Sequence, residues 1–261
     1  MHVLETSRLL TEEYTAKILM ATMGRAKSAF ELSDALGIPI AACYRKIRVL
    51  EEAGLIRLLT PPFVDTPRDP GYIKGYVAGV RENGGQYTHA AAWVVRAMAE
   101  AGRRERAAAL LDLVNPILHA DSPAAVARYQ VEPYVVAADV YGAAPHVGRG
   151  GWTWYTGSSG WLLRVALESV FGVRREGGDT LVVAPRVPDA WPGFAVRWRV
   201  PGPGAVVDLA VSNPDGCAQA VVAATVDGVA APCPGGVLRV ALRPGGEHRV
   251  EARLGRAREG S

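Results

Sequence analysis

Apolar positions fall at helical spacing from Thr11 to Met23, where Tyr14, Ile18, Leu19 and Met23 share a face and acidic residues follow Thr11 at a helix start. A second helix fits Ser28 to Leu36, with Ser28 as cap, Glu31 as its capping-box partner and Gly37 as the stop. After the Ile38-Pro39 turn, Ile40 to Ala53 is helical again and Gly54 ends it. The pattern breaks at Thr60. Residues 61–93 are rich in Gly, Pro, Tyr and polar groups, too irregular for a long element and too apolar for a linker. Helical periodicity returns over Gln86 to Gly102, Arg103 to Val114, a short segment capped by Ser122 and running to Tyr129, and Trp161 to Phe171. From Thr180 onward the period drops to two, in TLVVAP, FAVRWRV, AVVDLAVS, QAVVAATVDG, VLRVALR and HRVEARL. These runs predict an antiparallel sheet or sandwich, with hairpin turns at Val226-Asp227-Gly228 and Arg243-Pro244-Gly245-Gly246.

The 261 residues are 49% hydrophobic and 21% charged, as in a globular domain able to build a core. The net charge of +3 is too weak alone to indicate nucleic acid. Cys43, Cys217 and Cys233 are far apart and outside any metal-ligand spacing, which predicts free thiols, a reducing compartment and no metal. No apolar run reaches membrane-spanning length and the start lacks a signal-peptide core, so the expectation is a cytoplasmic protein with no membrane association.

One stretch departs from ordinary packing. Gly148 to Trp161, GRGGWTWYTGSSGW, holds five glycines and three tryptophans in fourteen residues. Glycines let the backbone approach a ligand closely, and indole faces suit a sugar ring. Thr156 and Gly157 precede a helix whose free N–H groups could hold an anion such as phosphate. The alternative is a glycine-rich turn whose rings cap a helical core.

ELSDALGIPIAACYRKIRVLEEAGLI resembles the winged helix-turn-helix of archaeal and bacterial regulators, over residues 1–59. That resemblance implies DNA contacts from Tyr44, Arg45, Lys46 and Arg48 on the second helix of the motif. Residues 1–60 carry eight Lys/Arg against seven Asp/Glu, a weak electrostatic footprint for DNA. Pro61-Pro62 also stands where a wing hairpin should return.

The blocks DPGYIKGYVAGVRENGGQYTHAAAW, NPILH, RYQVEPYVVAADVYGAAPHVGRGGWTWYTGSSGW and APRVPDAWPGF resemble glycoside hydrolase family 94, over residues 59–255. The likeness is to the C-terminal part of the family's cyclic beta-1,2-glucan synthase branch, beside the cellobiose phosphorylase type. It implies a partial (α/α)6 toroid followed by a β-domain, and inverting phosphorolysis or glycosyl transfer on β-linked glucans. Inorganic phosphate would be the co-substrate with no cofactor, and a β-glucan oligosaccharide or glucose 1-phosphate the ligand. Carried over by position, His89, Thr156 and Gly157 would bind phosphate. Tyr76, Arg81, Glu82, Trp152 and Trp154 would bind sugar, and Trp161 is a further stacking surface.

Two departures follow. A phosphorylase glutamine is replaced near Ala138, and the GDWNDG-like segment bearing the general-acid aspartate finds no counterpart, so no catalytic acid is assigned. Asp69, Glu82, Glu132 and Asp139 are carboxylates of the right type, yet Asp69, Glu132 and Asp139 sit where they would anchor turns and loops. His119 and His146 read as structural. The fold class expected is multidomain α plus β: a helix-turn-helix head (1–59), a partial toroid (60–176) and an antiparallel β-sandwich (177–256). An open toroid edge calls for a homo-oligomer or a complementing subunit. The competing reading is a DNA-binding regulator with a sugar-binding remnant.

Overall fold

The computed structural model describes Pro62, Phe63, Asp69, residues 71–154 and residues 157–257. The helix-turn-helix expected over residues 1–59, with Tyr44, Arg45, Lys46 and Arg48, lies outside the described residues. The architecture is mixed, with helices in the first half and sheets in the second. Two compact units divide the chain: one takes residues up to Ala101 and Ala109–Leu163, the other Gly102–Ala108 and everything from Arg164.

In the first unit, strand β1 (Gln86–Tyr87) runs directly into helix α1 (Thr88–Glu100). Ala91, Ala92, Val95 and Ala99 are fully buried, the i, i+1, i+4, i+8 stripe of a single helix face. Helix α2 (Arg104–Val114) follows, with Leu110 and Val114 buried. Helix α3 (Pro123–Tyr129) starts as its sequence dictates: Ser122 is extended, its hydroxyl accepts from Ala125 N at 3.2 Å, and Pro123 fills the first turn. Ser122→Ala is expected to cost about 1 kcal/mol in urea unfolding; an unchanged midpoint would show the cap to be redundant.

Strand β2 (Asp139–Val140) pairs antiparallel with β1, Gln86 opposite Val140 and Tyr87 opposite Asp139, while Gly150 bridges to Val140 from the other side. Helix α4 (Gly157–Arg164) begins four residues earlier than its apolar pattern suggests, because Gly157 to Gly160 form its first turn. Beyond it the winding widens over Val165–Val170, where Phe171 N bonds to Ala166 O at 2.8 Å, five residues back. No helix among the described residues is long and apolar enough to cross a membrane.

The second unit holds strands β3 (Val173–Glu176), β4 (Thr180–Val183), β5 (Gly193–Arg199), β6 (Val206–Ser212), β7 (Ala220–Val226), β8 (Val229–Ala231), β9 (Leu238–Ala241) and β10 (Glu247–Gly255). They form a five-stranded sheet, β5-β6-β10-β7-β8, and a three-stranded sheet, β3-β4-β9. The period-two runs behave as expected: Val207, Leu209 and Val211 on β6 and Val250, Ala252 and Leu254 on β10 are buried, alternating with exposed positions. Asp227 and Gly228 both take positive φ, the geometry of a two-residue hairpin between β7 and β8.

Two expectations are corrected here. The larger sheet is not wholly antiparallel: β10 lies between β6 and β7 and runs parallel to β6 from Glu247 opposite Val206 to Arg253 opposite Ser212. Period two reports a strand and its buried face, not the direction of a partner about forty residues away. The Arg243–Gly246 turn closes with a Gly246 N to Arg243 O bond of 2.9 Å, but it links strands of different sheets and makes no hairpin.

Candidate functional site

The RENGG segment folds as a tight turn in which Val80 and Asn83 bridge and Arg81 takes φ +48. Asn83 is its buckle. The fully buried amide donates to Tyr76 O at 2.7 Å and accepts from Phe63 N at 2.6 Å, while its backbone N–H reaches Val80 O. Arg81 is thereby held with its guanidinium over the rings of Tyr76 and Tyr87, 4.9 Å from each centroid. Its Nε lies 3.4 Å from Glu82 Oε2; both atoms are buried and neither has a hydrogen bond. Tyr76, Arg81 and Glu82, proposed separately as sugar contacts, are brought together.

Asp139 ties this turn to the tryptophan loop. Its buried carboxylate accepts from Arg81 N at 3.2 Å and from the backbone of Trp152. Gly151 N donates to Asp139 O at 2.9 Å, and Ala138 N donates to Trp152 O at 2.6 Å. Glycine is required at 151, where a Cβ would stand 2.1 Å from Asp139 Oδ1. Burial pushes the Asp139 carboxyl above the usual range, against the N–H groups of Arg81 and Trp152, which pull it down.

From this anchor Trp152 and Trp154 project outward, each roughly two-thirds exposed. Trp154 has φ +60, a costly conformation for an aromatic residue. Its indole Nε1 donates to Glu132 Oε1 at 2.9 Å and its ring stands edge-on to exposed Tyr134, centroids 6.2 Å apart. The Trp154 indole, fixed by a carboxylate and a strained backbone, is a preorganised solvent-facing ring.

His89, second residue of α1, sits among rings: Tyr87 at 6.2 Å, Trp93 edge-on at 5.1 Å and Trp161 at 5.8 Å. Its Nε2 is buried without a partner, and burial lowers the imidazole pKa, so it is neutral at pH 7. Trp161, four residues past Gly157, brings the first turn of α4 to His89. Gly157 is exposed, and a Cβ there would meet nothing within 4 Å, so packing does not demand its glycine. Thr156 lies outside the described residues.

The carboxylates considered as substitute acids are all engaged. Asp69 Oδ1 accepts from Gly71 N at 2.9 Å, Glu132 holds Trp154, Asp139 holds the two loops, and Glu82 faces Arg81. His119 bonds Leu113 O at 2.8 Å and stacks on Tyr129, and His146 stands edge-on to Tyr141. Asn83, Tyr87 and Trp93 escaped the sequence reading. Trp93 carried one signal, its place four residues after His89 on the same helix face.

The exposed Trp152 and the Arg81–Glu82 pair thus share one anchor, the carboxylate of Asp139. The sequence pattern of the Glycosyl hydrolase 94 superfamily, catalytic domain, matches residues 18–172, and the chain belongs to that superfamily. The match begins within the stretch that resembles a helix-turn-helix. The chain is 54% identical over 151 residues to a cyclic beta-(1,2)-glucan synthase of Rhizobium meliloti, covering 58% of this chain and 5% of that protein. It is 35% identical over 179 residues to an N,N'-diacetylchitobiose phosphorylase of Vibrio furnissii, covering 67% and 21%, and 28% identical over 161 residues to a solabiose phosphorylase of Paenibacillus borealis, covering 61% and 20%. The chain thus spans about a fifth or less of each of these relatives.

Proposed function

We propose that residues 62–163 supply the phosphate- and sugar-binding side of a family 94 site acting on β-linked glucans by phosphorolysis or glycosyl transfer. The likeness to a cyclic beta-(1,2)-glucan synthase and to two phosphorylases supports the substrate class and inorganic phosphate or glucose 1-phosphate as the small ligand. One observation carries the reading: Glu82, Arg81 and Tyr76 converge beside a neutral, unpartnered His89 that Trp161 joins to the start of α4. His89, Thr156 and Gly157 take the phosphate, Tyr76, Arg81 and Glu82 the reacting glucose, and Trp152 and Trp154 stack on the glucan.

Chemically, phosphate attacks the anomeric carbon while an acid protonates the leaving oxygen. His89 and the α4 start would hold the nucleophile without giving it a proton, and Glu82 would bind sugar hydroxyls. None of Asp69, Glu82, Glu132 or Asp139 is free to act as the acid, and such an acid is worth about 10²- to 10⁴-fold in rate. The chain alone is therefore expected to bind phosphate and β-1,2-glucooligosaccharides, measured by calorimetry, with little release of glucose 1-phosphate. Rapid turnover would show that one of these carboxylates does serve.

Trp154→Ala should weaken oligosaccharide binding by about tenfold, the scale of one stacked ring, and leave phosphate affinity unchanged. Glu132→Gln, which keeps an acceptor for the indole N–H, should retain most of the binding. Equal loss in both variants would mean that the carboxylate contacts the sugar.

A further inference from the structure

The polar atoms around His89 outnumber those the reading above assigns. Thr88 Oγ1, His89 Nε2, Trp93 Nε1 and Ser158 Oγ are all buried, and none has a hydrogen-bond partner among the described residues. Thr88 and Ser158 are more than nine-tenths buried, at 2% and 4% exposure. Native proteins leave few buried polar atoms unmatched, so four on two helix starts that meet through the rings of His89, Trp93 and Trp161 ask for a ligand. They come from two helix starts. Thr88 and His89 open α1, with Trp93 one turn on; Ser158 is in the first turn of α4, one turn before Trp161. Trp161 packs on both His89 and Trp93, at 5.8 and 5.4 Å, which brings the two starts together.

The donor set selects the ligand's chemistry. An indole N–H donates and never accepts, which disfavours a cation. Two hydroxyls can donate and a neutral imidazole offers one more N–H, while the Thr88 N–H is taken by Ala138 O at 3.0 Å. Such a set fits a compact oxyanion, held by dipoles in a desolvated place.

We infer that Trp93, through its indole N–H, is a further binding residue for the oxyanion at His89, and that the hydroxyls of Thr88 and Ser158 complete the donor set. This rests on the proposed phosphate site and adds three residues to it. Trp93 also presses its edge on the His89 ring and fixes the plane in which Nε2 lies.

Trp93→Phe separates the two roles, because phenylalanine keeps the edge contact and removes the N–H. Titrating inorganic phosphate into the chain by calorimetry should give about tenfold weaker binding in Trp93→Phe, the scale of a hydrogen bond to an anion. The melting midpoint without phosphate and the oligosaccharide affinity should not change. Thr88→Val and Ser158→Ala should each weaken phosphate by a smaller factor, and they carry the test if Trp93→Phe does not fold. Sulfate and glucose 1-phosphate arms tell a bare oxyanion from a sugar phosphate. Wild-type affinity in Trp93→Phe, or in both hydroxyl variants, overturns the inference and leaves the phosphate reading intact if His89→Ala still loses binding. No phosphate binding by the wild type overturns both.

Discussion

Asp139→Ala is expected to destabilise the chain by about 1–3 kcal/mol, because it removes the buried acceptor of two backbone N–H groups. The groups belong to Arg81 and Trp152, in the two loops that carry the sugar contacts, and Asp139 is 2% exposed between them. Oligosaccharide binding should fall with stability, since the turn and the tryptophan loop lose their common anchor. Asp139→Asn keeps an acceptor of the same shape and should be much milder at pH 7. The pH dependence has a defined sign. Burial raises the folded pKa of this acid, so its contribution is fully present below the unfolded value of about 3.9 and is lost as pH rises through the folded pKa. Wild type should therefore gain on Asp139→Asn as pH is lowered from 7 toward 4, measured as the difference in urea midpoints. A difference that stays flat with pH would mean that the carboxyl is not desolvated. An alanine variant as stable as wild type would remove Asp139 from the scaffold.

What the sequence made legible follows from the range of each signal. Helices α1, α2 and α3 were readable within two residues because their apolar stripes and the Ser122 cap are local. The start of α4 was not, since Gly157 to Gly160 look like loop, and only the fold shows them as a helical turn. The β3 strand escaped notice because Arg174 and Arg175 break the apolar alternation; Arg174 pairs with Glu176, which also holds Arg239 of β9. Parallel pairing of β6 with β10 is a tertiary choice that no local pattern encodes. At the site, motifs named candidate ligand contacts and the sequence marked Asp139 as a loop anchor, but no pattern in it marked Asn83. Asn83 and Asp139 act through hydrogen bonds to backbone fixed by the fold. The unmatched atoms of Thr88, Trp93 and Ser158 emerge only when α1 and α4 are placed together.

His89→Ala is expected to reduce phosphate affinity by about 30-fold, within the range for a hydrogen bond to a charged ligand. The neutral state of the ring sets the shape of its pH profile. Burial among Tyr87, Trp93 and Trp161 lowers its pKa below about 6.5, so it meets phosphate as a neutral donor from pH 8 down to that point. Taking the ratio of wild-type to His89→Ala affinity cancels the titration of phosphate itself. That ratio should rise as pH falls through the imidazole pKa of the phosphate complex and level off below the lowered pKa of the ligand-free protein. Stability moves the other way. The unfolded chain takes up the proton before the folded one, so the ligand-free wild type should lose stability relative to His89→Ala as pH falls through 6.5. Phosphate should restore the loss, because an anion at Nε2 favours the imidazolium. His89→Gln retains a neutral donor and should keep part of the affinity without the acid rise. A ratio that does not change with pH would mean that the anion does not touch the imidazole. An unchanged phosphate affinity in His89→Ala would move the anion away from the α1 start altogether.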